Sequence, residues 1–237
     1  MKELKKPTES TAREYKSLIK QWIDLEENRE SLGAEEYEKK GKEIGAKVSA
    51  LRKHHDFSYE YFEEHGKVGI KDYCGDVIVP ALYDAPYASN APDDNLFPAI
   101  TYPMIKDGKV GIVSLRDGRE LTPFIYDTEL VFTPGCYILC KDKRYGLFSE
   151  GGEMVLDTVA ESYEEDDLLH IFRKDGRCIF VYHLGHNRYV ASDSCEEYEE
   201  DEAEDYLRVR REGQWGYLDA EGHFTENEDE AVFSAWL

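Results

Sequence analysis

Apolar and polar positions follow two different periods along this chain. Between residues 11 and 55, Tyr15, Leu18, Ile19, Trp22 and Leu25 recur at helical spacing, the stripe of an amphipathic helix. Thr11-Ala12-Arg13-Glu14 has the form of a capping box, in which the Thr hydroxyl accepts from the Glu14 amide and the Glu14 carboxylate reaches back. Ser31-Leu32-Gly33 interrupts the stripe, with Gly33 expected as a left-handed terminator. A weaker stripe, Tyr37, Gly41, Ile44, Val48 and Leu51, predicts a second helix over about Ala34–His55. Gly41 and Gly45 cost helix propensity but allow close approach of another backbone. So short a connection makes an antiparallel hairpin. Residues 1–57 are therefore expected to be a helical hairpin. Its stripe either caps the neighbouring domain or docks a partner through Trp22.

From residue 58 the period becomes two, and one frame recurs: turn, Lys/Arg/Gln, apolar, Gly, apolar. It reads Gly66-Lys67-Val68-Gly69-Ile70, Gly108-Lys109-Val110-Gly111-Ile112, Lys143-Arg144-Tyr145-Gly146-Leu147 and Gly213-Gln214-Trp215-Gly216-Tyr217. A further copy, Gly176-Arg177-Cys178-Ile179-Phe180, lacks the central glycine. The central positions 69, 111, 146, 179 and 216 are spaced by 42, 35, 33 and 37 residues, a period that signals a repeat architecture. Each copy predicts three short strands. A tight turn such as Asp107-Gly108 or Asp175-Gly176 precedes the frame, where a type I′ hairpin needs positive φ at both central residues. The two apolar residues of the frame point to one face and the glycine to the other. That glycine predicts a close backbone or an aromatic ring lying over it. A second turn at Gly75, Gly118, Gly152, Gly185 or Gly222 leads to the third strand. Pro80 and Pro123 lack an amide donor and are expected to end or edge the sheet. In the last copy this strand is degraded to the charged run Phe224–Glu230, and an apolar tail, residues 231–237, is expected to close the domain.

The combination Lys/Gln-Val/Trp-Gly-Ile/Tyr, a second glycine about six residues on, and then Pro-x-x-Tyr-Asp (Tyr83-Asp84, Tyr126-Asp127) resembles the bacterial WG, or KWG-type, β-repeat family over roughly residues 58–237. Only Gln214-Trp215-Gly216 keeps the tryptophan. The resemblance implies a bacterial or phage-related source and a mainly β domain of five tandem three-stranded antiparallel meanders. It implies no activity. The array is expected to be either open and curved or closed like a propeller.

Charge divides the chain at the same place as period. Residues 1–60 carry 13 basic and 13 acidic side chains, so the whole net charge of −22 lies in residues 61–237. Such a surface repels nucleic acid and anionic lipid and steers basic partners toward itself, or serves colloidal solubility alone. No run reaches the length of a membrane span. The start has no apolar signal segment, and the five cysteines are odd in number and scattered. A cytoplasmic location is expected.

No nucleophile elbow, phosphate loop, dinucleotide fingerprint or EF-hand is present, so no enzyme, cofactor or metal is expected. His183-Leu184-Gly185-His186 crosses a turn and has no Cys-x-x-Cys to complete a zinc site. Cys136 and Cys140 lie on one strand face as buried thiols. Two acidic runs stand between repeats: Tyr163-Glu164-Glu165-Asp166-Asp167, and a longer one beginning Glu196-Glu197-Tyr198-Glu199-Glu200-Asp201-Glu202. As inter-repeat connections they are expected to project from one side of the array. They are either solvated loops or a negative ridge that binds a basic protein through charge, with Tyr163 and Tyr198 as anchors. An immunity or inhibitor protein is one form such a binder takes. Glycan binding and structural self-assembly are the alternatives.

Overall fold

The computed structural model describes residues 4–87, 101–133, 135–166, 169–183, 189–201 and 206–231. The chain is mainly β, with two helices, and divides into two compact units, residues 1–124 and 125–237.

Helix α1 spans Glu9–Glu27 and α2 spans Ala34–Arg52. The first starts earlier than the capping box predicts. Thr8 is extended and its hydroxyl accepts from the Thr11 amide at 3.3 Å, which leaves Glu9 in the first turn, where its charge complements the helix dipole. The end of α1 also differs. Asn28 closes it, donating its side-chain amide to the Asp24 carbonyl at 2.7 Å, and a 3₁₀ turn comes next over Arg29–Ser31. Gly33 is extended (φ −66°) and precedes α2 as its N-cap, so no left-handed residue is needed. At Gly41 it is the Trp22 ring, not a second backbone, that takes the space; a Cβ there would lie 3.4 Å from it.

Five small antiparallel sheets succeed the helices among the described residues, each with sequence neighbours paired. They are β1 (Glu60–Glu64), β2 (Lys67–Lys71) and β3 (Val77–Tyr83); β4 (Ala85–Pro86), β5 (Thr101–Lys106) and β6 (Lys109–Ser114); then β7 (Val131–Thr133), β8 (Cys136–Lys141), β9 (Arg144–Ser149) and β10 (Met154–Ala160). The last two are β11 (Ser162–Asp166), β12 (Leu169–Lys174), β13 (Arg177–His183) and β14 (Tyr189–Ala191), then β15 (Glu197–Asp201), β16 (Tyr206–Arg211), β17 (Gln214–Leu218) and β18 (Phe224–Thr225). Three sheets thus have four strands where the repeat predicts three. In the fourth and fifth the additional strand is the acidic run itself. Pro80 does not end β3. It sits in a register shift between the Ile70–Val79 and Val68–Tyr83 pairs on the sheet edge, so the strand continues past it. The charged run after Gly222 still supplies a strand, β18. The tail from residue 232 on, Asp93-Asp94-Asn95, Gly185 and His186 lie outside the described residues.

The turn chemistry matches the sequence closely. His65-Gly66, Asp107-Gly108, Asp142-Lys143, Asp175-Gly176 and Glu212-Gly213 all have positive φ at both positions, as a I′ hairpin demands. The central glycine has a steric reason. A Cβ at Gly69 would lie 2.6 Å from the Phe62 ring, at Gly111 2.7 Å from Phe124, and at Gly216 2.6 Å from Phe224. Ile179, in the copy without glycine, fills a buried layer with its side chain instead.

A joint connects consecutive sheets. Asp84, Glu161 and Glu196 accept from the frame cation of the sheet before them: Lys67, Arg144 (2.9 Å) and Arg177 (3.1 Å). Their amides donate to carbonyls of the sheet after them, at Ile105, Arg173 and Arg210 (2.7–2.8 Å). Asp84 and Glu196 also receive the amides of Asp107 and Gly213 in the next hairpin turn. Asp127 does the same for Asp142 at 3.0 Å. The Lys67 ammonium and then the Asp107 amide hold the Asp84 carboxyl below its usual range.

In the first unit, Ile70, Val79 and Tyr83 of one sheet pack against Tyr102, Met104 and Val113 of the next. The helical hairpin seats on the same sheet through aromatic rings. Tyr15 stacks on Phe57 (centroids 3.8 Å apart), and Tyr73 meets both edge-on. In the second unit three sheets stack. Phe172, Ile179 and Val181 face Cys136, Ile138 and Leu147, while Ile171, Cys178, Phe180 and Tyr182 face Leu207, Val209 and Leu218. The middle sheet is covered on both faces, which explains its nearly continuous apolar strands.

Candidate functional site

The acidic runs are edge strands, not loops. β11 and β15 each stand at the end of their sheet, and the charge on them discourages unwanted pairing along that edge. Alternation sends their side chains to opposite faces. Tyr163 points inward, is half-buried and lies 5.2 Å from the Tyr145 ring and 6.0 Å from Phe172. Tyr198 meets Phe180 edge-on at 5.3 Å. Both tyrosines therefore anchor their own strand to the core.

The carboxylates meet arginines across the strand. Glu164 pairs with Arg173 at 3.2 Å, Glu197 with Arg210, and Glu199 with Arg208 at 3.7 Å. Glu196, the acid of the last inter-sheet joint, also contacts Arg210 at 3.5 Å. Glu165 is exposed and stands opposite His170 in the register. Asp166, Glu200 and Asp201 lie on the same strands, whereas Asp167 and Glu202 fall outside the described residues. Part of the local negative charge is thus offset internally. The sequence carries a signal for this: Glu197 and Glu199 alternate in step with Arg208 and Arg210 on the facing strand. The guanidinium groups of Arg208 and Arg210 lie 5.6 and 5.9 Å from the Trp215 ring, forming a charged, aromatic face on the last sheet. Trp22 is on the helical hairpin, half-buried against Gly41.

Two polar clusters have no counterpart among the sequence motifs. The donor atoms of Asp72, Cys74 and Asp76 lie within 4.8 Å of one another. Lys16 from α1 already pairs with Asp72 and, at 3.3 Å, with Asp76. Asp72, 2% exposed, also accepts the Cys74 and Asp76 amides at 2.8 and 3.0 Å. The cluster is an ion-paired clasp between the hairpin and the first sheet. In the second unit, Cys136 Sγ lies 2.9 Å from Thr133 Oγ1 and 3.6 Å from His170 Nε2. His170 is 2% exposed, and its Nδ1 has no hydrogen-bond partner among the described residues. Burial holds this imidazole below its ordinary pKa and pushes the Cys136 thiol and the nearby Glu150 carboxyl up. Thiol and imidazole are both neutral near pH 7, the opposite of an activated thiolate–imidazolium pair.

No family model matches the chain, and no curated protein matches it. Among solved structures it is similar to one titled "Crystal structure of the eukaryotic initiation factor", at 12% identity and a TM-score of 0.30, covering 67% of this chain and 47% of that one. The chain spans about half the length of that structure. No helix among the described residues is long and apolar enough to cross a membrane.

Proposed function

We propose that the protein is a non-enzymatic, cytoplasmic binding module of the WG-like kind, built from five tandem β-meander repeats, whose acidic edge strands receive a basic protein. An immunity or inhibitor role toward a basic toxin is the concrete form of this reading. The repeat assignment is supported by five I′ turns in corresponding places, by the crowded frame glycines and by the recurring cation–acid joint. The binding assignment is carried by one observation: two acidic strands occupy sheet edges, with Glu164, Glu165, Glu197 and Glu199 exposed. Charge there steers and orients a cationic partner more than it adds affinity.

The test uses an unstructured Lys/Arg-rich peptide as probe, titrated over a salt series. Wild type should bind with a steep salt dependence. The Glu165→Lys/Glu199→Lys variant, which spares the Glu196 joint, should bind about tenfold or more weakly, a change of about 1.4 kcal/mol. Equal affinity and equal salt slope in both would overturn the reading and leave the acidity as solubility. Trp215 with its flanking arginines favours glycan binding as the second reading. Saturable quenching of tryptophan fluorescence by neutral oligosaccharides, lost in Trp215→Ala, would promote it.

A further inference from the structure

Five free cysteines are present, and two of them are directly opposed. Cys178, the second residue of β13, and Cys195, just before β15, form an antiparallel bridge. Each donates its amide to the other's carbonyl at 2.8 Å. Their side chains join the same buried cluster with Phe180, Leu207 and Val209. We propose that Cys178 and Cys195 are a redox pair, closing a reversible cross-strand disulfide when a low-molecular-weight disulfide oxidant is present.

Geometry carries the assignment. A pair that exchanges both backbone hydrogen bonds has its Cα atoms about 5.5 Å apart, inside the roughly 4.4–6.8 Å window of a disulfide. The Cβ atoms of such a pair are about 5.5 Å apart at the wide end, whereas a disulfide wants about 3.5–4.5 Å. Closure therefore draws the strands together and strains the bond. A strained disulfide is easily reduced, which marks a switch and not a permanent staple. The two sulfurs are also unequal. Arg173 Nη1 lies 3.2 Å from Cys178 Sγ, and this cation opposes part of the upward push of burial on that thiol. The Cys195 Sγ faces the Asp193 carbonyl at 3.4 Å, and burial, opposed only in part by Arg211, pushes its pKa up to about 11. Cys178 is accordingly the attacking sulfur. Arg173, which touches this sulfur, has a side chain 39% exposed, whereas Cys178 itself is buried.

The chemistry balances with oxidised glutathione. Cys178 loses its proton and attacks one glutathione sulfur. The glutathione S–S bond breaks, and the first glutathione thiolate leaves. Cys195 then loses its proton and attacks Cys178 Sγ, forming the protein disulfide and expelling the second glutathione thiolate. The two protein thiols are oxidised by two electrons, the oxidant is reduced to two thiols, and the two protons released are taken up by them.

The experiment incubates the folded full-length protein in glutathione buffers of increasing oxidised fraction, with acid quench, alkylation and peptide mapping. The expected product is a Cys178–Cys195 linked peptide, lower in mass by two hydrogens and fully reversed by reduced glutathione. Cys195→Ser should trap a glutathione adduct on Cys178, and Cys178→Ser should give no internal disulfide. The wild-type protein alone also decides the matter if the variants fail to fold. A link between other cysteines, no link in native buffer, or a link seen only in denaturant would overturn the proposal. Exposed Cys74 serves as the control for thiol access.

Discussion

The two compact units contain the same hairpin-and-glycine sheets yet are held together differently. In the first unit, one apolar layer joins two sheets, and a helical hairpin is fixed to them by stacked rings and the Lys16–Asp72 clasp. In the second, a middle sheet is buried on both faces and two apolar layers suffice. The same turn acid makes the contrast sharp. Asp72 and Asp219 each accept two amides from the turn after them, at 2.8–3.0 Å. Only Asp72 is also buried against a lysine from another element. In the first unit, the element covering the sheet is a helical hairpin, and a specific polar contact adds to the rings that hold it.

The largest expected effect tests the layered unit. Phe180→Ala removes a fully buried ring from the inner layer and should cost about 3–5 kcal/mol in urea unfolding. A loss below about 1 kcal/mol would mean that the sheets do not depend on that layer. Gly69→Ala, in the first unit, forces a Cβ to 2.6 Å from both the Phe62 ring and the Val79 carbonyl oxygen and should cost about 1–3 kcal/mol. Stability equal to wild type would remove the steric reason for the frame glycine.

Asp72→Ala should destabilise by about 1–3 kcal/mol and loosen the hairpin, seen as faster proteolysis between residues 53 and 60. Asp219→Ala loses the same turn bonds without the lysine, so the difference between the two variants measures the clasp. Equal losses would erase the contrast between the units.

The buried imidazole predicts a pH effect specific to the second unit. The folded pKa of His170 is depressed, so the unfolded chain binds its proton first. The stabilisation from a neutral His170 is fully present above about pH 6.5 and declines as pH falls below that toward the folded value, by at most about 1.4 kcal/mol per pH unit. Glu150, whose folded pKa is raised, acts with the opposite sign, losing stability as pH rises from its ordinary value. Comparing wild type with His170→Gln isolates the histidine; unchanged slopes between about pH 5 and 7 would refute the assignment. The smallest effect is expected at a joint. Glu161→Gln breaks a half-exposed pair with Arg144 and should change stability by no more than about 0.5 kcal/mol. A larger loss would mean that the joints carry stability as well as register.

Much of this fold is legible residue by residue. His65-Gly66 through Glu212-Gly213 announce their turns because positive φ is a local steric demand. Val68/Ile70 and Val110/Ile112 announce strands because alternation needs only two or three residues. The candidate site is less legible. The acidic runs look like loops in the sequence, since charge density resembles a solvated connection until the arginines across the hairpin are placed in register. Glu196, which composition alone offers to a partner, is an internal joint, and Tyr163 and Tyr198 pack on Tyr145 and Phe180. The helix start at Thr8 instead of Thr11 turns on which of two similar caps the backbone uses.

The sequence by itself determined the turns, the strand period, the frame glycines and the boundary where charge and period both change, because each is set by dihedral sterics or composition within a few residues. Only the tertiary structure decided which sheet faces are covered, that acidic strands meet arginines, where the hairpin seats on Phe57 and Tyr73, and that Cys178 opposes Cys195. Those are pairings between distant segments. Their energy depends on what lies on the other side of the face, which no local pattern records.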